Sequence, residues 1–262
     1  MDGDVCSAVV EDEWGSNKEH WTVVGAKAVG TNHHKSGAPC QDQIDWIALE
    51  DGTVFLAAAD GAGSAENSET GALIAVQSVR RVAPLLWSRP QMRADVQRTT
   101  LALFRAAARS VRAEAARLSV SPRTLATTLT VVCIGLLESA VGRVGDGLVA
   151  IESDKQIFTP MNHAQREYAN EATFITAKNW RCAMQIECID SRAINAISLS
   201  SDGLRLVACA DTRLGSPYTP FYEDVFGAIR GGMRAVQLES FLQSVEDRTG
   251  DDKSLLVAAR GQ

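Results

Sequence analysis

Apolar positions in this chain fall into short runs closed by glycine, proline or an acid. The clearest is Val54-Phe55-Leu56-Ala57-Ala58-Ala59, which runs straight into Asp60-Gly61. A run of that length between turn residues predicts a buried strand. Ile44 to Leu49 is a second run. Glu50-Asp51-Gly52 separates it from Thr53 to Ala59, and the pair predicts a hairpin. Leu125 to Leu136 predicts another buried strand. Ser139 to Val144 and Leu148 to Glu152 flank Gly145-Asp146-Gly147 and predict a second hairpin. Ala183 to Ile189 and Ala193 to Leu199 predict two strands joined by a short turn. Trp21 to Val29 predicts a strand near the start, and Lys253 to Ala259 a terminal one.

Elsewhere the apolar spacing is helical. Gly71 to Trp87 predicts a helix whose last turn Pro84 interrupts, and Gln91 to Leu118, rich in alanine, arginine and leucine, predicts a long one. Ser121-Pro122 breaks it, and Val236 to Thr249 predicts a further helix. Gly30 to Asp42 reads as a polar loop. Lys155 to Ala172 is polar, irregular and long for a loop. Leu204 to Arg234 mixes short amphipathic pieces with glycine, proline and aromatic residues. Residues 1–19 are acidic and polar and read as an arm. The order is strands, two helices, strands, a helix, then a strand. That is not a regular βαβ alternation, so the expected class is α+β, antiparallel sheets with helices outside. No repeat or linker divides the chain, which reads as a single domain over 1–262.

The chain has 262 residues, is 45% hydrophobic and 22% charged, and carries a net charge of -6. An acidic chain with no long basic run gives no support for nucleic-acid binding. No stretch has the roughly 20 continuous apolar residues of a membrane helix. The start, Met1-Asp2-Gly3-Asp4, is acidic and unlike a secretory signal, so the expected location is cytoplasmic. Six cysteines are scattered without a CxxC pair and read as reduced thiols. Only four histidines are present, none at zinc-ligand spacing from a cysteine.

Five acids stand where an apolar run begins or ends: Asp42, Asp60, Asp146, Asp202 and Asp251. Each alone reads as a solvated turn residue. Antiparallel sheets, however, bring such ends together, and clustered carboxylates repel unless a cation neutralises them. Oxygen ligands suit hard ions such as Mg²⁺ or Mn²⁺. Position alone leaves turn residue and shared metal site equally open. Cys40 reads as a passive thiol, because no cationic pocket is evident to activate it. Gly61-Ala62-Gly63-Ser64-Ala65 lacks the Lys-Ser/Thr of a nucleotide-binding P-loop. The tryptophans read as core or edge residues.

Seven short pieces in one order change that balance. They are Gly30-Thr31-Asn32-His33 with Pro39-Cys40-Gln41-Asp42; Ala59-Asp60-Gly61-Ala62-Gly63-Ser64; Ala126-Thr127-Thr128-Leu129; Val144-Gly145-Asp146-Gly147; Glu167-Tyr168-Ala169-Asn170-Glu171; Ser201-Asp202-Gly203; and Asp251-Asp252-Lys253-Ser254-Leu255. Together they resemble the metal-dependent protein phosphatases of type 2C, in their shorter bacterial branch. The resemblance implies a four-layer αββα sandwich, two antiparallel β-sheets flanked by helices, with two Mn²⁺ or Mg²⁺ ions, and a third more weakly held, at one end. It implies that Asp60 bridges both ions and the Gly61 carbonyl binds one. Asp202 and Asp251 would complete the other, Asp42 would bind directly or through water, and Asp146 would serve the third. A water bridged between two ions would attack phosphorus in line, without a phosphoenzyme. The implied partner is a phosphorylated protein, a cognate Ser/Thr kinase or a kinase target, with 204–234 matching the family's variable flap.

Three departures qualify the resemblance. Many members carry an acidic pair where this chain has Gln41-Asp42. Eukaryotic members place an arginine upstream to grip phosphate, whereas this loop offers His33, His34 and Lys35. His33 takes the phosphate contact here, with Lys35 as an alternate, and His33 could also protonate the leaving oxygen. The usual Asp-Asn of the last motif reads Asp251-Asp252. Two rival readings stand beside a protein phosphatase: a catalytically weak or inactive phosphatase-like regulatory or binding module, and a hydrolase of small phosphorylated metabolites.

Overall fold

The computed structural model describes residues 21–261 except 155, 162–172, 214 and 247. The expected N-terminal arm, the Glu167–Glu171 motif and most of the irregular 155–172 segment therefore lie outside the described residues.

The chain opens with β1 (Trp21–Ala28), a short helix α1 (Thr31–Ser36), β2 (Asp42–Ala48) and β3 (Val54–Asp60). Two long helices follow, α2 (Ser68–Trp87) and α4 (Val96–Arg117), with one turn, α3 (Pro90–Arg93), between them. Asp95 accepts a hydrogen bond from the Arg98 N–H and so starts α4, a cap that splits the single helix expected over 91–118. Next come β4 (Leu129–Ile134), β5 (Glu138–Val144), β6 (Leu148–Ser153) and β7 (Gln156–Phe158). A turn of helix, α5 (Trp180–Ala183), precedes β8 (Gln185–Asp190) and β9 (Ala196–Ser200). The mixed 204–234 stretch contains α6 (Arg205–Ala208), the small ribbon β10 (Cys209–Asp211) and β11 (Ser216–Pro217), and α7 (Thr219–Arg230). Helix α8 (Ala235–Ser244) and β12 (Lys253–Arg260) complete the chain.

Ten of the strands form two five-stranded antiparallel sheets, ordered β1-β12-β9-β6-β7 and β2-β3-β4-β5-β8. Successive strand side chains point to opposite faces. Along β3, Val54, Leu56 and Ala58 join the core between the sheets, while Phe55, Ala57 and Ala59 face the helices. Strand β12 does the same with Leu256 and Ala258 inward and Leu255, Val257 and Ala259 outward. Both strands are apolar on both faces because both faces are covered. Helix α2 lays Ala72, Ala75, Val76, Val79 and Ala83 on one sheet beside Leu103, Phe104, Ala107 and Val111 of α4, the spacing of an amphipathic helix. Helices α7 and α8 cover the other sheet with Tyr222, Val225, Phe226, Ile229, Leu238 and Leu242. The result is the four-layer αββα sandwich expected.

Strands β2 and β3 pair as the expected hairpin, but the second expected hairpin is not one. Strand β5 pairs with β4 and β8, whereas β6 pairs with β9 and β7 in the other sheet. Gly145-Asp146-Gly147 is therefore a crossover between sheets. Gly145 makes it at φ 116, a left-handed conformation that glycine adopts without strain. The turn between β8 and β9 also changes sheet, through a single 3-10 turn at Ser191–Ala193. The polar loop expected over 30–42 contains α1, which buries no residue and so leaves no apolar stripe to read.

Candidate metal centre

Asp42 is the first residue of β2, Asp60 is the last of β3, and the two lie opposite one another in the strand register. The backbone at Asp60 is fixed on both sides. Its N–H donates to the Thr128 hydroxyl (2.9 Å), and its carbonyl accepts from the Thr128 N–H (2.8 Å) and the Thr127 hydroxyl (3.0 Å). Gly61 donates its N–H to the Gln41 carbonyl at 3.1 Å. Among the described residues nothing donates to the Gly61 carbonyl, which leaves it available as a ligand oxygen.

The remaining acids come from the other sheet and from the crossover. Asp202 opens the 3-10 turn that follows β9. Asp251 and Asp252 immediately precede β12. Close backbone approach joins these two loops, since a Cβ on Gly203 would overlap the Asp252 carbonyl oxygen. Asp146 hangs from the crossover, and its carbonyl is held at 2.8 Å by the Arg205 guanidinium, which also donates to the Thr212 carbonyl. Five acids from five separate segments thus meet at one end of the sandwich.

Their electrostatics show the cost of that meeting. Asp42 is 1% exposed, and its Oδ2 has no hydrogen-bond partner among the described residues. Burial pushes its pKa up to about 7, the Ser201 hydroxyl offsets part of the rise, and the Asp252 charge adds to it. Asp60 is raised well above the carboxylate range by burial and by the charges of Asp42, Asp202, Asp251 and Asp146 together. Asp202 is pushed up to about 6 by burial, then by Asp146 and Asp251. Asp251, at the exposed rim, is raised by its partial desolvation. A buried acceptor without a donor and four carboxyls that resist ionisation suit a divalent cation. Among the described residues no three His, Cys, Asp or Glu side chains close into a ready cage.

Chains with known relatives decide the family. The protein phosphatase 2C family model matches residues 29–243. The chain belongs to the protein phosphatase 2C family. It is 29% identical over 255 residues to serine/threonine-protein phosphatase 3 of Escherichia coli (strain K12), covering 91% of this chain and 98% of that one. Solved structures with the same fold include a bacterial serine phosphatase (TM-score 0.64, 12% identity, 93% of this chain and 99% of that one). Another is the catalytic domain of the serine/threonine phosphatase PstP in complex with two manganese ions (TM-score 0.60, 16% identity, 94% and 100%).

Candidates outside the acids fare differently. His33 lies in α1, and its Nδ1 is 2.9 Å from Asp252 Oδ2. Lys35 stands exposed on the same helix, away from the acids' hydrogen bonds. Cys40 is a passive thiol: burial, then the charges of Asp42 and Asp252, push its pKa up. Trp87 packs edge-on against Phe55 and Trp180 stacks on Phe104, as core residues do. Arg205 and the Thr127-Thr128 pair are supporting residues that periodicity does not single out. Among the described residues no helix is long and apolar enough to cross a membrane.

Proposed function

We propose that this protein is a metal-dependent serine/threonine protein phosphatase that hydrolyses phosphoserine or phosphothreonine. The observation that carries the reading is the meeting of Asp42, Asp60, Asp146, Asp202 and Asp251 at one end of the sandwich, with Asp42 buried and its Oδ2 unpartnered. Mn²⁺ or Mg²⁺ bound there lowers the pKa of a water and offsets the charge of the phosphoryl group. With ions bound, Asp60 would be shared between two of them, with the Gly61 carbonyl a ligand of one and Asp202 and Asp251 of the other. Asp42 would hold its ion directly or through water, and Asp146 would serve a third. Thr127 and Thr128 fix Asp60 by its backbone, so its carboxylate is aimed before substrate arrives. Attack is in line, with no phosphoenzyme. The substrate is a phosphorylated protein, a kinase or a kinase target, met in the cytoplasm, with the 204–234 flap tuning which one is accepted.

A second reading is a phosphatase-like regulatory module of weak activity. Gln41 favours it, because a neutral side chain stands beside Asp42. Phosphate release from a phosphothreonine peptide with Mn²⁺, with Mg²⁺ and with chelator separates the two. The phosphatase reading expects release that chelation abolishes and that Asp60→Asn reduces by at least ~100-fold. Full turnover by Asp60→Asn refutes the mechanism. A folded wild type that releases nothing with either metal moves the reading to the regulatory module.

A further inference from the structure

Two of the departures from the family's wording touch each other. His33 stands in the loop where eukaryotic members place an arginine, and Asp252 stands where the last motif usually has asparagine. They are 219 residues apart in sequence, yet His33 Nδ1 lies 2.9 Å from Asp252 Oδ2. The Asp252 side chain is 2% exposed and that of His33 16%. A carboxylate buried so deeply must be fully hydrogen-bonded. Its Oδ1 accepts from the Gly30 N–H at 2.7 Å, and its Oδ2 accepts from the Gln41 N–H at 2.6 Å as well as from His33. Gly30 precedes α1, and Gln41 precedes Asp42. One carboxylate therefore ties the start of the histidine helix to the strand that carries the buried metal-site acid.

The bond also fixes chemistry. A carboxylate accepts only, so the Nδ1 that faces it carries the ring proton. Nε2 makes no hydrogen bond among the described residues. His33 is close enough to Asp251 for its charge to act on that carboxyl, which places the ring at the rim of the acid cluster.

We propose that Asp252 is a positioning residue for His33, holding the imidazole by Nδ1 so that Nε2 is the nitrogen presented to the departing oxygen of the substrate. This rests on the phosphatase reading above. In the ring that carries both protons, Nε2–H is the proton offered. As the bond from phosphorus to the serine or threonine oxygen breaks, its electron pair stays on that oxygen, which takes the Nε2 proton and leaves as the alcohol. The attacking water forms the new bond to phosphorus and sheds its proton to solvent, and solvent returns a proton to Nε2 after the alcohol leaves. Nδ1–H stays on Asp252 throughout. A carboxylate, unlike the amide of asparagine, can accept from the ring and the Gln41 N–H at one oxygen and from the Gly30 N–H at the other.

The test compares wild type, Asp252→Asn, His33→Gln and the double variant, with Mn²⁺, on a phosphothreonine peptide and on p-nitrophenyl phosphate. The alkoxide leaving from the peptide needs a proton, whereas nitrophenolate does not. His33→Gln is expected to lower kcat on the peptide ~100-fold while p-nitrophenyl phosphate changes by less than ~3-fold. Asp252→Asn reproduces that split at ~10-fold or more, and adds nothing on the peptide once His33 is replaced. Equal losses on both substrates, or multiplied losses in the double variant, overturn the proposal. A second measurement needs neither metal nor activity. In ¹⁵N NMR of the metal-free wild type, the His33 ring, assigned by its loss in His33→Gln, is expected to carry its single proton on Nδ1. A proton on Nε2 overturns the proposal. If wild type turns over neither substrate, the phosphatase reading fails, and the NMR result still decides the pair.

Discussion

Asp42→Asn should make the metal-free protein more stable, although it removes a proposed metal ligand. Asp42 is buried and carries a pKa near 7 in place of an ordinary 3.8. In the unfolded chain the carboxyl ionises near its ordinary value, whereas the folded protein holds the proton until close to neutrality. Between those limits the folded state binds more protons, so stability falls as pH rises. The full cost is present above the folded pKa and absent below the unfolded one. Carrying the pKa from 3.8 to about 7 corresponds to ~4 kcal/mol. Asparagine keeps the shape without the charge. Its neutral oxygen accepts more weakly from the Ser201 and Ser254 hydroxyls, a loss of ~1 kcal/mol, so the net gain is ~3 kcal/mol at about pH 8. Relief of Asp60, which Asp42 also pushes up, acts in the same direction.

The assay is thermal unfolding of both proteins in excess chelator at two pH values, then with Mn²⁺. For a chain of this size the gain corresponds to a Tm higher by ~6–12 °C at about pH 8. At about pH 5 the charge term falls to under half, so the two proteins should nearly coincide. Added Mn²⁺ should raise the Tm of wild type more than that of the variant, because binding only to the folded state stabilises it by mass action. A variant less stable than wild type in chelator at about pH 8, or a gap that does not change with pH, refutes the reasoning.

Other residues give sharper local tests. Thr128→Val leaves the Asp60 N–H buried without its acceptor; urea unfolding should show a loss of ~1–3 kcal/mol, and metal-dependent phosphate release should fall with it. Lys253 is 4% exposed and its ammonium donates to the Leu242 and Val245 carbonyls at the end of α8. Lys253→Met should therefore cost ~2–3 kcal/mol in urea unfolding, since those carbonyls lose a charged donor.

What the sequence reveals, and what it hides, follows from the range of each interaction. Strand identity is a local property, so the runs at 54–59, 125–136 and 253–259 are visible as continuous apolar stretches, the mark of strands covered on both faces. Partner choice is not local. Gly145-Asp146-Gly147 has the composition of a hairpin turn, yet β5 and β6 belong to different sheets. Nothing within a few residues of Gly145 distinguishes a turn from a crossover; pairing of β6 with β9, some fifty residues on, decides it. The short turn expected between β8 and β9 is present at Ser191–Ala193, but which sheet each strand joins is likewise set by distant pairing.

The site illustrates the converse. Its five acids are legible because each sits at the end of an apolar run, and antiparallel sheets collect such ends. The crossover that the sequence disguises as a turn is what brings Asp146 to the others. Had β5 and β6 formed a hairpin, Asp146 would lie at the tip of one sheet, and its charge would not rank among those acting on Asp60 and Asp202. Asp252 escapes for another reason. It stands beside Asp251 and looks like a second ligand, but its three donors come from Gly30, His33 and Gln41 at the far end of the chain. Its role is set by burial and by those donors, which appear only once β12 is laid between β1 and β9. Adjacent acids at one strand end thus divide their work: Asp251 faces the cluster rim, and Asp252 turns inward to hold the loop that carries the histidine.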